Sequence, residues 1–163
     1  MEHLWSPWRL AYVTATGSPG TSVDCIFCEA GDGLILVRGR SCYVILNLYP
    51  YNNGHLMVVP NRHVGTLRAA TAEELSDLMR LTRHAEIALT EAYTPQGINV
   101  GMNLGRPAGA GIVDHLHVHL VPRWTGDTNF MSVVGNVRVL PEDLGETAKR
   151  LRPIFERLAR EDR

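Results

Sequence analysis

Cysteine is scarce and odd in number, three among 163 residues, which excludes a disulfide scaffold and leaves free thiols or metal ligands. No apolar run approaches the roughly 20 residues that a membrane-spanning helix needs, so no membrane partner is expected. Neither sign of charge is in excess: 16 Lys and Arg against 17 Asp and Glu leave −1 with His neutral. That balance argues against a protein held mainly by DNA or RNA phosphates, yet a local patch can still take a small polyphosphate. The opening Met1-Glu2-His3-Leu4-Trp5-Ser6-Pro7-Trp8-Arg9 lacks a basic stretch followed by an apolar one, and lacks a cleavage site, which reads as cytoplasmic. Internal repeats and low-complexity tracts are absent too. What remains is ordinary globular composition, 45% apolar and 20% charged, at a length that fits one domain.

An aromatic arm carrying Trp5, Trp8 and Tyr12 precedes a small-residue, turn-forming loop over 14–24. Three β-prone runs follow, at 34–37, 42–46 and 55–59, the second and third joined by the turn Tyr49-Pro50-Tyr51-Asn52-Asn53-Gly54. They predict successive antiparallel strands. Thr71-Ala72-Glu73-Glu74 matches a capping box, and Leu75, Leu78, Met79, Thr82, Ala85 and Leu89 follow at helical spacing until Pro95 and Gly97. A fourth strand is expected at 98–103 and a fifth at 115–121, stopping at Pro122. The tail from Pro141 sets Leu144, Ala148, Leu151, Phe155 and Leu158 on one helix side, with a kink at Pro153. The sum is α+β: an antiparallel sheet of about five strands, one long helix packed on it, and a C-terminal helix.

Histidine is the residue present in force, with seven copies. In His115-Leu116-His117-Val118-His119-Leu120-Val121-Pro122-Arg123, three of them alternate with apolar residues. Successive side chains on a strand point to opposite faces, so His115, His117 and His119 share one face while Leu116, Val118 and Leu120 pack from the other. Three imidazoles in a row are not a hydrophobic core feature. An exposed polar face would more cheaply carry Thr, Lys or Glu. A three-His zinc site is a better rival, though two ligands at alternate strand positions usually recruit a third from elsewhere. Nucleophilic catalysis is the remaining reading, because a neutral imidazole is both nucleophile and proton carrier near neutral pH. The preceding Asn103-Leu104-Gly105-Arg106-Pro107-Ala108-Gly109-Ala110-Gly111 is a glycine-rich loop of the kind that turns backbone N–H groups toward anionic oxygens. Alone it is weak, since tight turns need glycine as well; directly before the histidines it points to a phosphate ligand. His3 and His84 read as surface residues, Arg123 as a surface or interface charge, and Cys42 as core.

Cys25-Ile26-Phe27-Cys28 has the ligand spacing of zinc but supplies half a site. Redox chemistry is the rival, and it usually wants the pair at a helix start in a βαβ context, absent here. Two structural thiols in a loop are the plain alternative.

These motifs resemble the HIT (histidine triad) nucleotide-binding proteins. The resemblance runs from Cys25 to Arg123 and rests on the triad, on Asn47 followed by His55, and on Val59-Pro60-Asn61-Arg62-His63. The Trp-Ser-Pro-Trp-Arg arm and Arg123-Trp124-Thr125-Gly126-Asp127-Thr128-Asn129-Phe130 are similar to the branch containing bacterial diadenosine tetraphosphate phosphorylases. It divides the chain into an arm (1–24), a HIT domain (25–124) and a C-terminal extension with a helix (125–163).

The resemblance implies that His117 takes an α-phosphate to form a nucleotidyl-histidine, with His119 and His55 beside the phosphates. It implies that Asn47 binds the ribose, that Tyr43, Leu48 and aliphatic neighbours wall the base, and that Asn103, Gly109, Ala110, Gly111 and Ile112 contact phosphate or acceptor. For Tyr43, a plain sheet aromatic is the equal alternative. The resemblance also offers His63 and His115 to complete a structural zinc site with Cys25 and Cys28, and a homodimer or larger homo-oligomer. One departure is informative. The common hydrolase branches hold Gln, then Ser or Thr, where this chain has Gly111 and Ile112. Glycine there leaves room for an acceptor larger than water, and inorganic phosphate is one. The implied reaction is phosphorolysis of diadenosine tetraphosphate to ADP and ATP. A HIT hydrolase of dinucleoside polyphosphates or nucleotide phosphoramidates, and a mononucleotide-binding module with little turnover, are the alternatives.

Overall fold

A computed structural model describes residues 25–127 and 142–162. The aromatic arm, His3, the 14–24 loop and Thr128-Asn129-Phe130 lie outside the described residues. Five strands form one sheet: β1 (Ile35–Arg38), β2 (Cys42–Leu46), β3 (Leu56–Pro60), β4 (Gly97–Gly101) and β5 (Val118–Arg123). Every neighbouring pair is antiparallel, in the spatial order β1-β2-β3-β5-β4. The long helix α1 (Ala72–Tyr93) and the terminal helix α2 (Leu144–Glu161) complete the α+β fold read from the sequence.

Local chemistry explains the boundaries. The Thr71 hydroxyl accepts from the Glu74 N–H at 3.2 Å and the Glu74 carboxylate accepts from the Thr71 N–H at 2.8 Å, the capping box expected at the start of α1. Thr94, in the left-handed region with φ 45°, closes the helix one residue before Pro95. At α2 the Asp143 carboxylate caps the N–H groups of Gly145 and Glu146. The helix then continues unbroken past Pro153 to Glu161.

β2 and β3 are buried on both faces, which is why they read as continuous apolar runs. On one face Val44, Leu46, Leu56, Val58 and Leu120 meet Leu78, Leu81, Leu89, Leu151 and Phe155 of the helices. The opposite face carries Ile35, Tyr43, Ile45, Met57 and Val59, covered by Cys25 and Phe27. The helices thus occupy one side and leave the other for chemistry.

Two expectations are corrected. The fifth strand begins at Val118 and runs through Pro122 to Arg123. The Leu116 N–H bonds the Val64 carbonyl at 2.6 Å, so His115 and His117 sit just ahead of the ladder. Pro122 is tolerated because pairing with β3 ends at Leu120, and Pro122 only accepts there, from the Asn52 amide at 3.0 Å. His84, read as a surface residue, is 2% exposed, its Nε2 lying 2.9 Å from the Asp162 carboxylate at the end of α2. Arg123 is at the surface, bonded to Asp127 and Asn99. Cys42 is fully buried, and burial together with Asp77 pushes its thiol up to about 12.

Candidate active site

On the face away from the helices lies a cleft of about 490 Å³, lined by apolar side chains of residues 26–34, β2 and β3, and by His117 and His119. The size suits a nucleotide-sized ligand. Asn47, Leu48, Gly109, Gly111 and Ile112 also line it. Four residues expected beside the ligand do not: His55, 1% exposed, stands behind His119, and Tyr43, Asn103 and Ala110 are also outside the lining. Tyr43 lies in the same face of β2, but its hydroxyl donates to the Phe27 carbonyl at 2.6 Å and the ring is packed with Phe27 and Val59. Asn103 donates its amide to the Gly109 carbonyl at 3.2 Å, bracing the loop from within. Ala110 is buried outside the lining.

The partners of each imidazole nitrogen decide its tautomer. The His117 Nδ1 is 2.8 Å from the His115 carbonyl oxygen, which can only accept. Nδ1 therefore carries the hydrogen, and Nε2 of the neutral ring holds the lone pair. Burial pushes the His117 pKa below its ordinary value, against the backbone bond that raises it, so the ring is neutral at pH 7. A second chain of bonds links His55 and His119. The Tyr51 N–H donates to His55 Nδ1 at 3.0 Å. His55 Nε2 lies 3.0 Å from His119 Nδ1, so the two rings share one hydrogen bond. Rings of His117 and His119 stand 4.8 Å apart, nearly perpendicular. A nucleophilic nitrogen and a second imidazole are thereby set side by side in one cleft.

Asn47 sits at the neck of the 47–55 turn: its N–H bonds the His55 carbonyl at 3.1 Å and its side-chain oxygen accepts from the Tyr49 N–H at 2.9 Å. The glycine-rich loop forms a short turn over Arg106–Ala108, flanked by Gly105 at φ 84° and Gly109 at φ 91°, conformations that exclude most side chains. Sequence reasoning reached Ile45 only among the aliphatic positions around Val44 and Leu46, and missed Phe27 and Met57. The strand residues were available from alternation, since Ile45 and Met57 share a sheet face with Tyr43 and stand opposite each other. Phe27 had no signal beyond its place inside the cysteine pair.

Beside the cleft, Cys25, Cys28, His63 and His115 bring their ligand atoms within 4.8 Å of one another. His115 Nδ1 lies 3.3 Å from Cys25 Sγ and 3.6 Å from Cys28 Sγ, and His63 Nδ1 lies 3.3 Å from Cys28 Sγ. A tetrahedral ion with bonds of roughly 2.0 to 2.3 Å would hold sulfur and nitrogen about 3.6 Å apart. His115 Nε2 is tied to the Pro60 carbonyl at 2.9 Å, so its hydrogen is there and the Nδ1 lone pair faces the thiols. Burial and the Cys25 thiol push Cys28 up to about 11. The donors fit a metal ion, which would displace the thiol protons.

Residues 31–126 match the HIT domain family, and the chain belongs to it, carrying that family's catalytic domain. Among individual proteins, it is 40% identical to an AP-4-A phosphorylase of Mycobacterium tuberculosis, over 93% of this chain and 83% of that one. It is 30% identical to adenosine 5'-monophosphoramidase hnt1 of Schizosaccharomyces pombe, over 62% of this chain and 75% of the relative. The fold is similar to a Zn-bound histidine triad family protein of Mycobacterium smegmatis, with a TM-score of 0.68 and 25% identity over 87% of this chain and 98% of that one.

Proposed function

We propose that the chain is a nucleotidyltransferase that cleaves dinucleoside polyphosphates by phosphorolysis, converting diadenosine tetraphosphate and inorganic phosphate to ADP and ATP. The observation that carries the reading is the pair His117 and His119 in one apolar cleft, with His117 Nδ1 held by the His115 carbonyl at 2.8 Å and His119 Nδ1 3.0 Å from His55 Nε2. In the first step His117 Nε2 attacks the α-phosphorus; the bond to the bridging oxygen breaks and ATP leaves, with His119 supporting the departing oxygen. In the second, a phosphate oxygen attacks the same phosphorus, the P–N bond breaks, and ADP is released. The kinship with a phosphorylase and Gly111 in the cleft lining both support phosphate as the acceptor. Asn47 and Leu48 are proposed ribose and base contacts, and Gly109, Gly111 and Ile112 phosphate or acceptor contacts.

Cys25, Cys28, His63 and His115 are proposed to hold structural zinc, which would fix His115 and, through its carbonyl, His117. The zinc would be a closed centre and would take no part in phosphoryl transfer. β4 is a sheet edge with Val100 exposed, which supports pairing of two copies into a homodimer. The similarity to a monophosphoramidase supports a second reading, hydrolysis with water as acceptor.

Ion-exchange analysis of products from diadenosine tetraphosphate, with and without inorganic phosphate, tests the proposal. Equal ADP and ATP formed only with phosphate is the expected result. AMP and ATP irrespective of phosphate would make the enzyme a hydrolase.

A further inference from the structure

One side of the cleft is built from residues 26–34, where Ile26, Phe27, Ala30, Gly31 and Leu34 line it. This stretch consists of turns and bends, without helix or strand. A segment lacking its own ladder keeps a shape only if bonds from elsewhere hold it. At its start the N–H groups of Cys28 and Glu29 return to the Cys25 carbonyl at 2.9 and 3.1 Å. At its end the Leu46 N–H donates to the Leu34 carbonyl at 3.0 Å, His63 and His115 lie against the Cys28 thiol, and two further side chains from outside reach its carbonyls. Tyr43, on β2, donates its hydroxyl to the Phe27 carbonyl at 2.6 Å. Arg152, on α2, sets its Nη2 against the carbonyls of Gly33 at 2.8 Å, Ile35 at 3.2 Å and Asp32 at 3.3 Å. Neither side chain lines the cleft.

We propose that Tyr43 and Arg152 are positioning residues that fix this wall and thereby set nucleotide affinity, an inference resting on the nucleotide reading of the cleft. The chemistry suits the task. A guanidinium offers several N–H groups in one plane, carries its charge at every accessible pH and accepts nothing, so it gathers neighbouring carbonyls without competing for their donors. The phenol supplies one donor to a carbonyl of a residue only 5% exposed, which would otherwise lose its bond. The Phe27 ring in this wall lies 5.0 Å from that of His117 and 5.5 Å from that of His115. Arg152 also gives the C-terminal helix a part in the site, although α2 lies beyond the 31–126 stretch matched to the family.

The test is calorimetric titration of AMP into the full chain and its variants Tyr43→Phe, Arg152→Met, Arg152→Lys and Arg157→Met. Arg157 shares the helix with Arg152 but bonds Glu91 and Glu161, so it controls for general damage to α2. Tyr43→Phe and Arg152→Met are expected to weaken AMP about three- to tenfold each, the loss of one or two hydrogen bonds. Arg152→Lys should recover part of the loss, and Arg157→Met should lose nothing. Amide exchange over 26–34 should quicken in the first two variants alone. In turnover the effect should fall on KM, with kcat within about twofold of the parent. Parental affinity in both variants, or an equal loss in Arg157→Met, would overturn the inference. Should Arg152→Met fail to fold, Tyr43→Phe, which keeps the ring and its packing, decides alone. A parent chain that binds no AMP would sink the nucleotide reading and this inference with it, a result distinct from variants that match a binding parent.

Discussion

A histidine offers two nitrogens, and the partner of one decides what the other can do. His117 gives its Nδ1 hydrogen to the His115 carbonyl, so all its nucleophilic capacity rests on Nε2. Replacing it with alanine is expected to lower phosphorolysis by about a thousandfold or more and to remove radiolabelled nucleotide trapped on the protein. Nucleotide trapped at undiminished level in that variant would place the nucleophile elsewhere. Asp77 shows the same logic in a structural role. Burial raises its pKa, but the Ser41 N–H, the Arg80 guanidinium and the Cys42 N–H outweigh that and hold it below the usual carboxylate range. A depressed folded-state pKa contributes stability in full above the unfolded value of about 3.9 and loses it as pH falls toward the folded value. Asp77→Asn should therefore cost about 1 to 3 kcal/mol at pH 7, with the gap to the parent closing below about pH 4. Urea melts at both pH values would check it; a gap constant with pH would contradict the assignment.

Elements differ in how openly the sequence declares them. β2, β3 and α1 were legible because double-sided burial writes unbroken apolar runs and a capping box marks a helix start locally. The two ends of β5 were not, since its start depends on a bond from Leu116 to Val64 and its passage through Pro122 on where β3 stops pairing. His84 was misread for a similar reason: Asp162, its partner, arrives from the far end of the chain. At the site, alternation put the three histidines on one face, but the companions of the cysteine pair came from family resemblance rather than spacing. Tyr43 reads equally as a base wall or a plain sheet aromatic, and the sequence does not decide, because a hydroxyl's bond to a loop carbonyl leaves no periodic trace. β4 carries its own prediction. Its exposed edge and Val100, 51% exposed, are the proposed pairing surface, so Val100→Lys should shift the chain toward monomer in sedimentation velocity. An unchanged sedimentation coefficient would move the interface elsewhere.

For the molecule as a whole, the four-ligand cluster joins parts of the chain that no helix or strand connects directly: the cysteine loop, the stretch after β3 and the approach to β5. Stripping the ion with a strong chelator should lower Tm by on the order of 10 °C and slow turnover, and zinc should restore both. A Tm indifferent to chelation, with no zinc found by elemental analysis, would leave four thiol and imidazole groups with no metal to hold.

The division of the sheet has a consequence for how this protein tolerates change. Among the described residues, its helix side, where Leu81, Leu89, Leu151 and Phe155 pack, meets the side that holds the histidines through Leu34, which packs against both clusters. Substitutions on the two sides, lying in separate contact sets, should combine additively in double-mutant cycles. Away from Leu34 and Arg152, which reach across, sequence drift behind the sheet can then accumulate up to the threshold of unfolding while the chemistry in front stays unaltered.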